Sequence, residues 1–108
     1  MNPGHIYILG STTGTLYTGV TSELHLRICQ HKLGVLPGFS KIHHCHRLLL
    51  TEPFQTITEA IAREKQLKGW TRAKKLALIR KSNPTFKDLA ETWTYEHLGP
   101  AQSIKDKK

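Results

Sequence analysis

The sequence predicts an α+β domain in which helices cover a small sheet, with the element order β-β-α-β-α-α. Two short runs of β-branched and aromatic residues lie near the start of the chain, and a compact apolar run lies in the middle. Segments with helical periodicity and capping residues lie between and after these runs. A chain of 108 residues with 38% hydrophobic content has room for one such domain and a small core.

The first two strands are predicted at residues 6–9 and 16–20, around a turn of Gly, Ser and Thr, and together they form a β-hairpin. Because side chains alternate along a strand, Tyr7 points to one face of the sheet, and its neighbours Ile6 and Ile8 point to the other. Tyr17 and Gly19 share a face of the second strand, so a suitable register places both tyrosines on the same side. Gly19 is expected to leave space beside them for the backbone of a ligand.

A helix follows the hairpin, with Thr21 or Ser22 as its N-cap and Gly34 as its end. Its expected core positions are Leu24, Leu26 and Ile28. Arg27 and His31 are four residues apart and therefore lie one above the other on a single helix face.

The middle of the chain contains a loop at residues 33–40, a polar histidine-rich segment at residues 41–46 and a buried strand at residues 47–51. Glu52 and Pro53 are expected to end this strand. Thr58 is predicted to cap the next helix, and Gly69 to end it. The inner face of that helix is expected to comprise Ala60, Ile61 and Leu67, together with the acidic Glu64 and the stem of Lys68.

The last long helix is predicted between Thr71 as N-cap and the pair Asn83-Pro84, with an apolar stripe of Ala73, Leu76 and Ala77. A short helical piece over residues 86–93 is expected to pack Phe86, Leu89 and Trp93 onto the core. The domain is thus predicted over residues 4–93, with a mobile tail at residues 94–108.

Charge predicts a polyanionic partner. Sixteen Lys and Arg oppose eight Asp and Glu, and half of those cations lie between Arg63 and Lys81. Such a field attracts nucleic acid, although a solvated helix face is the plainer interpretation. No apolar run reaches the roughly 20 residues that a membrane span needs, and the N-terminus does not resemble a signal peptide. The expected location is cytoplasmic, with Cys29 and Cys45 as reduced thiols.

Several polar residues are candidates for phosphodiester chemistry. Arg27 offers a planar cation that matches phosphate oxygens, and Tyr7, Tyr17 and His31 can orient or deprotonate a water. Glu64 is either a metal ligand or an ion-pair partner of Lys68. Each residue also has a structural interpretation, because hairpin tyrosines often only pack and an Arg/His pair often lies on a solvated face.

Residues 5–31 resemble the GIY-YIG nuclease family. The family motif corresponds here to His5-Ile6-Tyr7 and Tyr17-Thr18-Gly19, followed by Arg27 on a helix. Further blocks, namely GTLYTGVTSEL, GFSK, LLLTE, EAIAREKQLKGW and NPTFKDLAETW, resemble the short stand-alone bacterial members over about residues 4–93. The chain departs from the pattern at His5, at Thr18 and in the loop that carries His43 and His44.

The resemblance implies a three-stranded antiparallel sheet flanked by helices and a metal-dependent DNA endonuclease of repair or processing. It implies catalytic roles for Tyr7, Tyr17, Arg27 and His31, a Mg²⁺ or Mn²⁺ ion held by Glu64, and a supporting Asn83. The residues expected to bind nucleic acid, with DNA as the expected partner, are Lys41, His43, Lys68, Arg72, Lys74 and Lys75.

Two other interpretations stay open. The first is a nucleic-acid-binding module with weak or no catalysis, since a basic face alone binds the backbone. The second is a zinc site built from His43, His44, Cys45 and His46, with Cys29 as a further ligand. Ligands for tetrahedral zinc normally come as spaced pairs, and four adjacent positions cannot all converge. Neither the substrate structure nor the oligomeric state follows from the sequence.

Overall fold

A computed structural model describes residues 2–93 of the chain. Its centre is a three-stranded antiparallel sheet with the strand order β2-β1-β3. The strands are β1 (Gly4–Gly10), β2 (Leu16–Thr21) and β3 (Arg47–Phe54). The predicted fold class and element order are therefore confirmed, whereas the predicted tail at residues 94–108 lies outside the described residues.

The hairpin register places the two tyrosines as predicted. Tyr7 is opposite Gly19, and Leu9 is opposite Tyr17, so both tyrosines project from the same face of the sheet. The third strand runs past its expected end and includes Glu52, Pro53 and Phe54. A proline is tolerated there because β3 is an edge strand, where a missing backbone N–H breaks no central ladder.

Helices among the described residues are α1 (Leu24–Leu33), α2 (Phe39–Ile42), α3 (Ile57–Lys68) and α4 (Arg72–Ser82). The short α2 lies where a loop was expected. The prediction of Thr21 or Ser22 as the N-cap of α1 is wrong, because Thr21 still belongs to β2 and Glu23 takes the cap position. The predicted ends at Gly34 and Gly69 are confirmed.

The cap of α3 is also corrected. Thr56, not Thr58, is the N-cap, and its hydroxyl accepts a hydrogen bond from the backbone N–H of Glu59 at 3.2 Å. The Glu59 carboxylate accepts in return from the Thr56 backbone N–H, which completes a capping box. The caps of α4, Thr71 and Asn83, are those expected.

Helices cover both faces of the sheet. One core cluster contains Ile6 and Ile8 of β1 with Leu67 of α3 and Ile79 of α4. The other face of the sheet packs against α1, where Tyr7 and Leu9 meet Ile28, Cys45 and Leu48. The predicted inner stripes are corrected, because Ile61, Ala73 and Ala77 are exposed and Leu26 is only partly buried.

Residues 83–93 form turns instead of the predicted short helix. Asp88 holds this segment to the sheet, since its carboxylate pairs with Lys32 and accepts a hydrogen bond from the Leu48 backbone N–H at 2.9 Å. Phe86 and Trp93 pack on the two core clusters as expected, whereas Leu89 is exposed. Within residues 2–93, no helix combines the length and apolar character that a membrane crossing requires.

Candidate active site

A buried hydrogen-bonded chain joins the hairpin to the first two helices. The Tyr7 hydroxyl lies 2.9 Å from Nε2 of His31, and Nδ1 of His31 lies 2.6 Å from the Ser40 hydroxyl. Tyr7 is 1% exposed and His31 is 5% exposed. The chain thus connects β1, α1 and α2, and it fixes the imidazole from both ring nitrogens.

The absence of a side chain at Gly19 makes room for the Tyr7 ring of this hydrogen-bonded chain. A Cβ atom at Gly19 would lie 2.4 Å from both Cζ and the hydroxyl oxygen of Tyr7, so the tyrosine ring covers the strand where a side chain would be. The expectation that Gly19 leaves space for the backbone of a ligand is therefore wrong. The space beside Gly19 is filled by Tyr7.

Burial sets the protonation states of His31 and Tyr7 in this hydrogen-bonded chain. Burial, together with the positive charge of Arg27 and the nearby His46, lowers the pKa of His31 from 6.5 to about 4. His31 is therefore neutral at pH 7, with one ring nitrogen as donor and the other as acceptor. Burial raises the pKa of Tyr7, and the neighbouring Tyr17 adds to the rise while Arg27 opposes it. Tyr7 is thus a protonated hydrogen-bond partner and a poor base.

Tyr17 is the more accessible of the two tyrosines. Its ring centroid lies 6.3 Å from that of Tyr7 and 5.4 Å from that of His31, and it stacks on Phe39 at 6.0 Å. Tyr17 is partly exposed and lines a surface pocket of about 290 Å³. The structure therefore brings Tyr7, Tyr17 and His31 together, and Arg27 lies close enough to shift the pKa values of Tyr7 and His31.

The pocket surrounds the free edge of β2. Because β2 is an edge strand, residues from both faces of the sheet can meet there. Leu16, Tyr17, Thr18, Phe39, Lys68 and Lys75 line the pocket. The Thr18 hydroxyl is buried and has no hydrogen-bond partner among residues 2–93, so a bound water or ligand could satisfy it. Thr18 occupies one of the positions at which the sequence departs from the family motif.

Glu64 of α3 is linked to this pocket through Lys68. Its side chain is 13% exposed, and its Oε2 atom lies 2.8 Å from Nζ of Lys68, which lines the pocket. Both interpretations of Glu64 made from the sequence thus remain compatible with its surroundings. A single carboxylate fits Mg²⁺ or Mn²⁺, which can complete its coordination with waters and phosphate oxygens. Across the described residues, no three His, Cys, Asp or Glu residues cluster in a metal-binding arrangement.

The zinc interpretation has no geometric support among residues 2–93, because no three possible ligands converge there. The rings of His44 and His46 lie 5.9 Å apart, whereas His43 packs against Phe39 with ring centroids 4.2 Å apart. Cys45 is buried, and its thiol points to the Thr15 carbonyl at 3.7 Å. His46 donates from Nδ1 to the His31 carbonyl at 2.9 Å. Cys29 and Cys45 are both free thiols.

The residues expected to bind nucleic acid occupy four places. Lys68 and Lys75 line the Tyr17 pocket, and Arg72 lies against the hairpin turn. The Lys74 ammonium lies over the Trp70 ring, 5.0 Å from its centroid. Lys41 and His43 are exposed on and beside α2, near the Tyr17–Phe39 stack but on the opposite face of the sheet from α4.

Asn83 supports the fold. Its side-chain amide donates to the carbonyls of Leu49, at 3.1 Å, and Lys87, at 2.8 Å, and its oxygen accepts from the Lys87 backbone N–H. It thereby ties the end of α4 to β3 and to the segment that follows. Its hydrogen bonds place it in a structural role.

Ser40 and Phe39 were not among the predicted site residues. Both belong to the short α2, which brings Ser40 to His31 and Phe39 to Tyr17. The GFSK block was part of the family resemblance, but its spacing did not indicate which of its side chains would turn inward. That orientation depends on a one-turn helix inside a segment that reads as a loop.

Comparison with known proteins defines the class. The family model of the GIY-YIG catalytic domain matches residues 3–77, and the chain therefore belongs to the GIY-YIG family of nuclease domains. Within it, the chain is similar to proteins named UPF0213. A UPF0213 protein of Staphylococcus aureus (strain Mu50) is 34% identical over 80 residues, which are 74% of this chain and 98% of that protein.

A second relative and a solved structure agree with this assignment. A UPF0213 protein of Staphylococcus saprophyticus is 38% identical over 79 residues, which are 73% of this chain and 96% of that protein. The solution NMR structure of a UPF0213 protein from Bacillus halodurans is similar to this fold, with a TM-score of 0.53 and 27% identity. The match covers 85% of this chain and 98% of that one.

Proposed function

We propose that this protein is a metal-dependent nuclease that hydrolyses phosphodiester bonds in DNA. The observation that carries the proposal is the buried chain of Tyr7, His31 and Ser40 beside Arg27 and Tyr17, next to a pocket flanked by lysines. A purely structural core has no need for a neutral buried imidazole, an arginine and two tyrosines at one edge of a sheet.

Arg27 binds the scissile phosphate. Its guanidinium is always charged and matches two phosphate oxygens, so it stabilises the charge that develops during hydrolysis. Burial keeps the nearby His31 and Tyr7 neutral, so neither side chain supplies a counter-charge to Arg27. The cation is therefore free to bind the phosphate of the substrate.

Tyr17 orients the attacking water, since it is the tyrosine that lines the pocket. Tyr7 and His31 act as positioning residues, because the rings of both lie against Tyr17 and both are buried. A proton that leaves the water can pass to an uncharged proton acceptor among these three side chains. These roles add detail to the assignment to the nuclease family.

Glu64 would hold the divalent ion, Mg²⁺ or Mn²⁺, which supplies Lewis-acid stabilisation of the phosphate when bound. Its ion pair with Lys68 has to open for this, and Lys68 is 54% exposed and free to turn to a phosphate. The two free thiols, Cys29 and Cys45, agree with a cytoplasmic location for such an enzyme.

The alternative is a nucleic-acid-binding module with weak or no catalysis, and its basis is the eight Lys and Arg residues between Arg63 and Lys81. A panel of structured DNA and RNA substrates separates the two. Each is incubated with the protein in Mg²⁺, in Mn²⁺ or in EDTA, while anisotropy reports binding and gel analysis reports cleavage. We expect cleavage only with metal. Binding without cleavage under every metal would favour the module.

A further inference from the structure

An open groove of about 590 Å³ lies between the hairpin turn and the first residues of α4. Thr13, Gly14, Thr15, Leu16, Arg72 and Lys75 line it. The groove is next to the candidate active site but contains none of its tyrosines. Its walls are one shaped backbone turn and two cations.

The turn is held in shape from within. The Ser11 hydroxyl accepts hydrogen bonds from the backbone N–H groups of Thr13, at 3.2 Å, and Thr15, at 2.9 Å. The Ser11 carbonyl accepts from the Gly14 N–H at 3.2 Å. Gly14 has a φ of +95°, a conformation that other residues rarely adopt. The turn therefore presents a fixed surface to whatever lies beside it.

The guanidinium of Arg72 lies against this turn. A Cβ atom at Gly14 would be 3.0 Å from Nη2 of Arg72, so a larger residue would push the cation away. Across residues 2–93, the ion pairs are those of Lys32 with Asp88, Arg63 with Glu52 and Lys68 with Glu64, and neither Arg72 nor Lys75 takes part in one. Both charges in the groove are thus uncompensated by an acid.

The groove is continuous with the Tyr17 pocket. Leu16 and Lys75 line both, so a single path leads from Arg72 past Lys75 to Tyr17. Other cations of this region are engaged differently. Arg63 and Lys74 lie over the Trp70 ring, and Arg80 lies over Phe86. Arg72 and Lys75 are therefore the pair placed to extend the active site along a strand.

We propose that this groove is a second phosphate subsite, which binds a non-scissile phosphate of the same nucleic-acid strand that Arg27 and Tyr17 bind at its scissile phosphate. The inference rests on the proposed function for the identity of the first subsite. Two fixed phosphate positions define the direction in which the strand crosses the edge of β2. They also require a substrate longer than one phosphodiester.

A methylphosphonate scan tests this subsite. A set of oligonucleotides, each with one phosphate replaced by the neutral methylphosphonate, is bound to the wild type and to Arg72→Gln in EDTA, with anisotropy as the readout. Arg80→Gln, which removes the same charge from the same helix, is the matched control. At one non-scissile position we expect methylphosphonate to weaken wild-type binding roughly tenfold and to leave Arg72→Gln unaffected.

A second measurement guards against a general charge effect. The slope of log affinity against log salt should fall by about one for Arg72→Gln, because one phosphate contact is lost. The slope for Arg80→Gln, whose guanidinium lies over Phe86, should equal that of the wild type. Equal slopes for Arg72→Gln and the wild type, or the same reduced slope in Arg72→Gln and Arg80→Gln, would overturn the subsite.

The outcomes separate the two proposals. If methylphosphonate and Arg72→Gln act additively at every position, the groove is no subsite, even if the wild type cuts DNA. If the position-specific coupling appears while the wild type cleaves nothing in Mg²⁺ or Mn²⁺, the subsite holds and the nuclease proposal fails.

Discussion

The interactions of His31 define the character of the candidate site. Its two ring nitrogens are occupied by Tyr7 and Ser40, and its carbonyl is bound by His46. The sequence predicted that His31 can orient or deprotonate a water. Burial lowers the pKa of His31, so the imidazole is neutral at pH 7 and its ring lies against those of Tyr7 and Tyr17.

Replacement of Ser40 by Ala should weaken both fold and activity. It leaves Nδ1 of the buried His31 without its partner, and an unsatisfied buried polar group costs about 1–3 kcal/mol. Urea unfolding should show that loss, and cleavage should fall as the imidazole loses its orientation. Ser82→Ala, at an exposed position at the end of α4, is the control and should change neither. If Ser40→Ala left both the unfolding free energy and the cleavage rate unchanged, the role given to the hydrogen-bonded chain of Tyr7, His31 and Ser40 would be contradicted.

The low pKa of His31 makes stability depend on pH. Between pH 6.5 and about 4 the unfolded chain binds a proton at His31 that the folded chain does not bind. The contribution of His31 to the free energy of unfolding is therefore fully present above pH 6.5. It falls as the pH approaches 4, by about 3 kcal/mol for a pKa shift of this size. Denaturant titrations of wild type and His31→Gln across this range measure it. The variant should lose less stability on acidification, and parallel curves would refute the assignment.

Regular sequence patterns predicted the strands and the long helices correctly, but they did not predict every position at which a helix begins or a strand ends. The hairpin and the end glycines of α1 and α3 follow from alternation and capping chemistry, whereas the register of the hairpin was left open by the sequence. The N-cap of α3 is Thr56 and not the predicted Thr58, because Thr56 forms the reciprocal hydrogen bonds with Glu59. The sequence predicts that β3 ends at Glu52 and Pro53, because the segment alone does not show that β3 is an edge strand. That position depends on the order of the strands in the sheet.

The two threonines before α3 provide a matched test of the capping box. Thr56→Ala removes the hydroxyl that accepts from the Glu59 N–H and should cost about 1 kcal/mol. Thr58→Ala changes an exposed residue of the first turn and should stay within about 0.5 kcal/mol of wild type. Thermal or urea unfolding of the two variants gives the comparison. Equal losses would mean that the box adds nothing to the stability of α3.

The domain as a unit places its chemistry at an edge. Helix α1 and the tyrosines lie on one face of the sheet and α3 on the other, and residues from both sides, Tyr17 and Lys68, meet in one pocket at the free edge of β2. The sequence could predict that Tyr7, Tyr17, Arg27 and His31 lie near one another, since one hairpin and one helix hold them. It could not predict Ser40, Phe39 or the Arg72 groove, because those contacts depend on how separate elements pack.

The most direct test of the nuclease assignment is single-turnover cleavage of a DNA oligonucleotide in Mn²⁺ by wild type, Arg27→Gln and Glu64→Gln. Arg80→Gln, whose guanidinium lies over Phe86 away from the pocket, is the control for charge. We expect the first two variants to lose roughly 100-fold or more in rate with unchanged unfolding midpoints, and the control to cut as the wild type does. If Arg27→Gln and Glu64→Gln cut at the wild-type rate, the edge of β2 is not the catalytic site.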